Sequence, residues 1–251
     1  MLHEIHIIGL TGIPEIVEGD ELGNLISTEI KKQHLTLNKG DILVVTQKVI
    51  SKAEGRIIDL GKIEPSQMAI QIASDYEKDP RHVEVVLRES KRIVRMDRGV
   101  IISETHHGFI CANAGVDSSN NIDLAKVSLL PENPDASASN IRMSIHMELG
   151  VKVGVIISDT FGRPWREGAT NIAIGVSGIN PIKDYRGQSD LVGYSLKTTT
   201  IAIADELAAA SELVMSKLDR VPVAIIKGYH YDSCESGISA LLRKSDRDLF
   251  R

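Results

Sequence analysis

Apolar positions in this chain come in short runs, and two different periods organise them. Runs rich in β-branched residues at 5–8, 42–45, 100–102, 109–112, 153–157 and 223–226 are bounded by Gly, Asp or Pro and predict strands. Helical spacing takes over elsewhere. Leu22, Leu25, Ile26 and Ile30 share one face of a helix that Asp20 is placed to cap, Asp79 precedes Pro80 at a first-turn position, and a helix over 137–149 ends at Gly150. The longest predicted helix covers 196–218, where Ile201, Ala204, Leu207, Ala208, Ser211 and Met215 form a stripe of mostly small residues suited to core packing. Helices and strands do not alternate strictly, because 91–112 reads as consecutive strands. The pattern therefore predicts an α+β fold of two interwoven lobes, with antiparallel or mixed sheets and flanking helices, rather than a doubly wound parallel sheet. No repeat, low-complexity tract or linker marks a boundary, so residues 1–251 are expected to form a single unit.

Composition narrows the picture. A chain of 251 residues that is 42% hydrophobic buries a substantial core, and with aromatics at 4% and Trp165 the sole tryptophan that core must rest on Ile, Val, Leu and Ala. Cys111 and Cys234 cannot make a disulfide framework, and no basic start joins a long apolar stretch, so a reducing cytoplasm is the expected location. The net charge of −5 is mild and the basic residues are scattered, which argues against nucleic acid as the main partner. No apolar run approaches the roughly 20 residues of a membrane helix. Neither G-x-x-x-x-G-K-[ST] nor a strand-linked G-x-G-x-x-G is present, which removes the P-loop and Rossmann readings.

Three segments carry candidate chemistry. In 155–168 an apolar strand ends in Asp159 and Thr160, just before a glycine turn crowded with charge. A carboxylate and a hydroxyl at the mouth of a sheet are hard oxygen ligands that suit Mg²⁺ or Mn²⁺, while a turn capped by Asp159 accounts for the fragment equally well. In 113–121, Asp117 is a candidate second anionic ligand and Asn120 a neutral partner for a phosphate or base, although an Asx-rich loop is the better reading of that stretch alone. In 44–56, Lys48 and Lys52 stand four apart just beyond a strand and are placed to meet phosphate oxygens as point charges; an edge strand blunted by lysine fits the same pattern. The turn at 12–16 reads as a rigid connection into the first helix. His106 and His107, as neighbours on a strand, face opposite ways and do not suit one metal, and Cys111 reads as a small core residue.

Taken together, GIPEI at 12–16, VISKAEGR at 49–56, NAGVD-x-SN at 113–120, DTFGRPWR-x-G at 159–168 and the terminal DLFR resemble, in this order and spacing, the coenzyme F420-0:L-glutamate ligase family, the gamma-glutamyl ligases of deazaflavin biosynthesis. The resemblance runs over nearly the whole chain. It implies a GTP-dependent ligase that adds L-glutamate through its amine to the terminal carboxylate of F420-0, then gamma-linked glutamate to F420-1, by way of an acyl phosphate. It further implies a homodimer of two-lobed α+β subunits and divalent cations, Mn²⁺ or Mg²⁺, at two sites. Asp117, Asp159 and Thr160 fall where the family holds its metals. Ile13, Pro14, Glu15, Ile16, Gln47, Lys48, Lys52 and Asn120 fall where it contacts the nucleotide, and Ser216 and Lys217 join that set. Lys52, Asp117 and Asp159 are the expected catalytic residues. Arg163, Arg166 or Arg186 is expected to hold the phosphodiester or carboxylates of the deazaflavin.

One departure stands out from the family pattern: Lys217 lies near the place where several archaeal members carry a Glu for the second metal, so that ligand set is expected to differ here, with Lys217 contacting phosphate or Asp219 standing in. A related ligase acting on another carboxylate is the alternative, and a regulatory nucleotide-binding protein is disfavoured by the intact Asp117, Asp159 and Lys52. With no further domain after Arg251, a stand-alone ligase is expected.

Overall fold

The structure is a computed structural model that describes residues 3–118 and 125–248. In chain order the elements are β1 (His6–Leu10), α1 (Leu22–Lys32), β2 (Ile42–Thr46), α2 (Gln47–Ala53), β3 (Ile57–Asp59), α3 (Gln67–Tyr76), α4 (Pro80–Arg88), β4 (Ser90–Asp97), β5 (Val100–Thr105), β6 (Ile110–Ala112), β7 (Lys126–Ser128), α5 (Pro134–Leu149), β8 (Gly154–Phe161), β9 (Thr170–Ser177), β10 (Lys183–Asp184), β11 (Thr200–Ile201), α6 (Ile203–Met215) and β12 (Val223–Lys227). Helices and strands mix as the α+β expectation requires, and no Rossmann strand order appears.

The main sheet has the order β1-β12-β2-β8-β9, and only β2 and β8 run parallel. These central strands are apolar throughout because both faces are covered: Ile42 to Val45 and Val155 to Ile157 are all fully buried. Helices α1, α5 and α6 pack around this sheet to make the larger core. A second cluster, with members such as Leu60, Ile72, Val83, Ile101, Val116 and Val127, is drawn only from residues between Leu60 and Leu129, and it lies with α3, α4, β3 and β7. Its chain enters and leaves at one place, where the Leu129 N–H donates to the Arg56 carbonyl at 2.9 Å. Cys111, on β6, and Phe109, just before it, belong instead to the larger core, and Phe109 meets Phe161 edge to face at 6.3 Å.

Asp79 caps α4 as expected, accepting from the Arg81 N–H, and Gly150 ends α5 at φ +70°. Other expectations need correction. Asp20 does not cap α1; its carboxylate closes a turn on the Val17 N–H at 2.9 Å, and Glu21 holds the cap position. The predicted helix over 196–218 is only 203–215: the β-branched Thr198 to Thr200 feed β11, and Ser216 at φ +53° breaks the far end, which leaves α5 the longest helix among the described residues. The segment after β2 is the helix α2 and not an edge strand. Residues 183–201 form an arm, closed at its base by β10 pairing with β11, that exposes Leu191, Val192 and Tyr194 near its tip. No described helix is long and apolar enough to cross a membrane.

Candidate active site

The parallel pairing of β2 with β8 decides where the chemistry lies. Register opposes Thr46 to Ser158, so the carboxyl ends of the two strands finish side by side, the position at which parallel strands commonly present ligand sites. Immediately beyond, β2 becomes α2, whose single face carries Lys48 and Lys52 one turn apart, while β8 continues into Asp159 and Thr160. Asp117 arrives from the segment packed around the second core. Asn113, Ala114 and Gly115 all take positive φ (52°, 53° and 73°), turning the chain sharply after β6, and Asp117 is then pinned by two backbone hydrogen bonds to Ser128 of 3.0 and 2.8 Å. Left-handed conformations at Asn113 and Ala114 each cost about 1 kcal/mol. Ser216 adopts φ +53° and ψ 161°, a region almost confined to glycine, and from it Lys217 turns back toward β8.

These residues line one cavity of about 930 Å³, at the upper end of the roughly 300–1,000 Å³ usual for ligand sites. Ile13, Pro14, Glu15 and Ile16 form one wall, Gln47, Lys48 and Lys52 another, and Asp117, Asp159, Thr160, Ser216 and Lys217 complete it, whereas Asp219, the expected alternative to Lys217, does not line the cavity. Asn120 lies outside the described residues. Arg163, Arg166 and Arg186 do not line the cavity: Arg163 holds its own turn through the carbonyls of Glu167 and Gly168, and Arg186 is paired with Asp184. His106 and His107 sit in a turn, not on a strand, and their rings bond different carbonyls, those of Arg88 and Pro131.

The two lysines of α2 each meet a carboxylate in the cavity. Lys48 meets Asp117 at 2.7 Å, and Lys52 bonds to Glu15, which also takes Arg220 at 3.1 Å. The bond to Lys52 holds the Glu15 carboxyl below its ordinary value despite partial burial. Asp159 behaves in the opposite way. Burial, reinforced by the charge of Asp117, pushes its carboxyl up to about 6, although the Thr160 backbone N–H and the ammonium groups of Lys217 and Lys48 oppose the shift. Cys111 nearby is pushed up to about 12, chiefly by burial and then by Asp159, which leaves it a core thiol and not a nucleophile.

Two facing carboxylates, one of them difficult to keep ionised, with an adjoining hydroxyl, are a hard-oxygen donor set that suits a divalent cation. Among the described residues no cluster of three or more His, Cys, Asp or Glu suits a metal, so a cation held by Asp117 and Asp159 would need further ligands from outside the protein's carboxylates. Asn171 and Glu212 were not anticipated from the sequence. Thr160 Oγ1 lies 2.7 Å from Asn171 Oδ1, and Asn171 Nδ2 lies 2.7 Å from Glu212 Oε2, while Lys217 donates to Thr160 Oγ1. Neither residue stands in a motif, since Asn171 on β9 lies 11 positions after Thr160 and Glu212 on α6 a further 41 after Asn171.

Residues 11–228 match the family model described as F420-0:Gamma-glutamyl ligase. The chain is 46% identical over 250 residues to the coenzyme F420:L-glutamate ligase of Methanothermobacter thermautotrophicus, covering 98% of this chain and 99% of that one. It is 47% identical over 249 residues to the coenzyme F420:L-glutamate ligase of Methanocaldococcus jannaschii (99% and 97% covered), and 37% identical over 248 residues to that of Archaeoglobus fulgidus (98% and 96% covered).

Proposed function

This chain belongs to the F420-0:gamma-glutamyl ligase family, and on that premise we propose that it joins L-glutamate to coenzyme F420-0, and gamma-linked glutamate to F420-1, at the expense of GTP and with Mn²⁺ or Mg²⁺. The observation that carries the reading is the single cavity in which an Asp pair, a hydroxyl and a set of cationic side chains converge at the ends of β2 and β8.

A free carboxylate resists attack by an amine, so the reaction needs its oxygen converted into a leaving group. Transfer of the γ-phosphoryl of GTP to the acceptor carboxylate gives an acyl phosphate and GDP; attack of the glutamate amine on the acyl carbon then forms the amide and releases phosphate. Asp117, Asp159 and Thr160 would hold divalent cations, which when bound neutralise charge on the phosphates. Lys48 and Lys52 stand ready to exchange their carboxylate partners for phosphate oxygens, and Lys52 offsets charge as the phosphoryl group moves. The apolar side of the wall, including Ile13, Ile16 and Met215, limits water that would hydrolyse the acyl phosphate. We also assign the protein to the cytoplasm, in keeping with its two free thiols, and to a homodimer.

Mass spectrometry of the protein incubated with F420-0, L-glutamate, GTP and Mn²⁺ tests the proposal. The expected result is a gain of glutamyl mass that requires every component. No gain, from folded protein that binds GTP, would reject F420-0 as acceptor and favour a different carboxylate.

A further inference from the structure

Thr160 has one hydroxyl proton and two lone pairs, and its neighbours dictate how each is used. A carboxylate only accepts, so the Asn171 atom 2.7 Å from Glu212 Oε2 is the amide nitrogen. The amide carbonyl Oδ1 of Asn171 therefore faces Thr160 at 2.7 Å. A carbonyl also only accepts, so Thr160 must donate its one proton there. What remains on Thr160 Oγ1 is acceptor capacity alone, directed to the cavity, and the Lys217 ammonium, which can only donate, bonds to it. Polarity runs in one direction from Lys217 through Thr160 and Asn171 to Glu212. Asn171 is only 4% exposed, so no bulk water competes to reverse it. Without Glu212 the amide is free to flip, and a flipped amide would donate to Thr160 and turn the hydroxyl proton toward the cavity, where it would repel a cation.

We propose that Glu212 is a positioning residue which, through Asn171, commits Thr160 Oγ1 to accept from a cation, and that Lys217 is a tethered cation holding that acceptor until a divalent ion displaces it. The proposal rests on the reading of this cavity as a divalent-cation site. Lys217 is exposed and follows the strained Ser216, beyond the end of α6, so its side chain can withdraw without disturbing β8 or α6.

The test is Mn²⁺ binding, followed by the electron paramagnetic resonance signal of the free ion, with and without GDP, on the whole chain. Glu212→Gln, whose amide no longer dictates the orientation of Asn171, is expected to weaken Mn²⁺ binding by about tenfold or more, the range for groups that orient a metal ligand. In a Thr160→Val background the same change is expected to have no further effect, an outcome a merely structural role would not produce. Lys217→Met, at an exposed position that tolerates substitution, is expected to tighten Mn²⁺ binding severalfold. Unchanged affinity in Glu212→Gln, an effect that persists in the Thr160→Val background, or no tightening in Lys217→Met overturns the proposal; the last variant decides the matter even if Glu212→Gln does not fold. A wild-type protein that binds no Mn²⁺ in either condition overturns the metal reading itself and is thereby distinguished from failure of this proposal alone.

Discussion

Asp159 must ionise in surroundings that disfavour charge. Its carboxyl is pushed up to about 6 from an ordinary value near 3.8, so between those two pH values the folded chain holds a proton that the unfolded chain has lost, and stability falls as pH rises through that window. Replacing the carboxylate with Asp159→Asn is therefore expected to stabilise the ligand-free protein by about 1–2 kcal/mol at pH 7.5, with the gain vanishing toward pH 4, as read from urea denaturation. The same variant, and Asp117→Ala, are expected to lower glutamate incorporation by about 100-fold or more. Stability and turnover thus move in opposite directions at one residue. Residues of this kind were legible in the sequence because they sit in dense local motifs: Asp159 and Thr160 follow an apolar strand, and Lys48 and Lys52 stand four apart just beyond another. Asn171 and Glu212 were not, because their roles exist only through partners far along the chain.

Close approach of α1 to α5 depends on Gly23. A Cβ there would lie 2.3 Å from the Cβ of Ser144, so Gly23→Ala is expected to destabilise the protein by about 1–3 kcal/mol in denaturant titrations, even though alanine is the better helix former by about 1 kcal/mol. Around the second core, α4 is tied to the start of α3. Glu84 accepts from the Ser66 N–H at 2.9 Å and from Arg88 Nε at 2.8 Å, and the hydrogen bonds from Ser66, then that from Arg88, hold its carboxyl down at about 2. A depressed carboxyl contributes stability that is fully present above its unfolded value near 4.5 and is lost as pH falls toward 2. Wild type is accordingly expected to exceed Glu84→Gln in melting temperature at pH 6, with the difference closing between pH 4.5 and 2. Elements with β-branched runs or a clear start signal, such as β2, β12 and α4, were legible from pattern alone. The strand β9 was not singled out, because Thr170 to Ser177 mixes Asn, Ala and Gly into its apolar run, and Gly175 is needed there for the approach of Pro134. The start of α6 was misplaced because side-chain periodicity continues through residues whose backbone is not helical.

At the scale of the molecule, the arm at 183–201 exposes Leu191 completely, with Val192 88% and Tyr194 60% exposed, an apolar group that makes it the expected contact of the proposed homodimer. Sedimentation is expected to show a dimer for the wild type and a monomer for the double variant Leu191→Glu, Val192→Glu. The mixed architecture was legible from the failure of strands and helices to alternate. The way the chain is divided between two cores was not, since no composition shift accompanies the crossing at Arg56 and Leu129. That division has a thermodynamic consequence for ligands. The two cores are joined by the Arg56–Leu129 backbone bond and by Lys48 bound to Asp117 across the cavity, so the cleft is braced before anything enters. Ligand entry then resembles filling a mould and not closing a jaw, and little ordering entropy opposes it. Calorimetric titration with GDP at several temperatures is expected to give a heat-capacity change that matches the apolar surface of the cavity alone; a much larger negative value would mean that the two cores come together around the nucleotide.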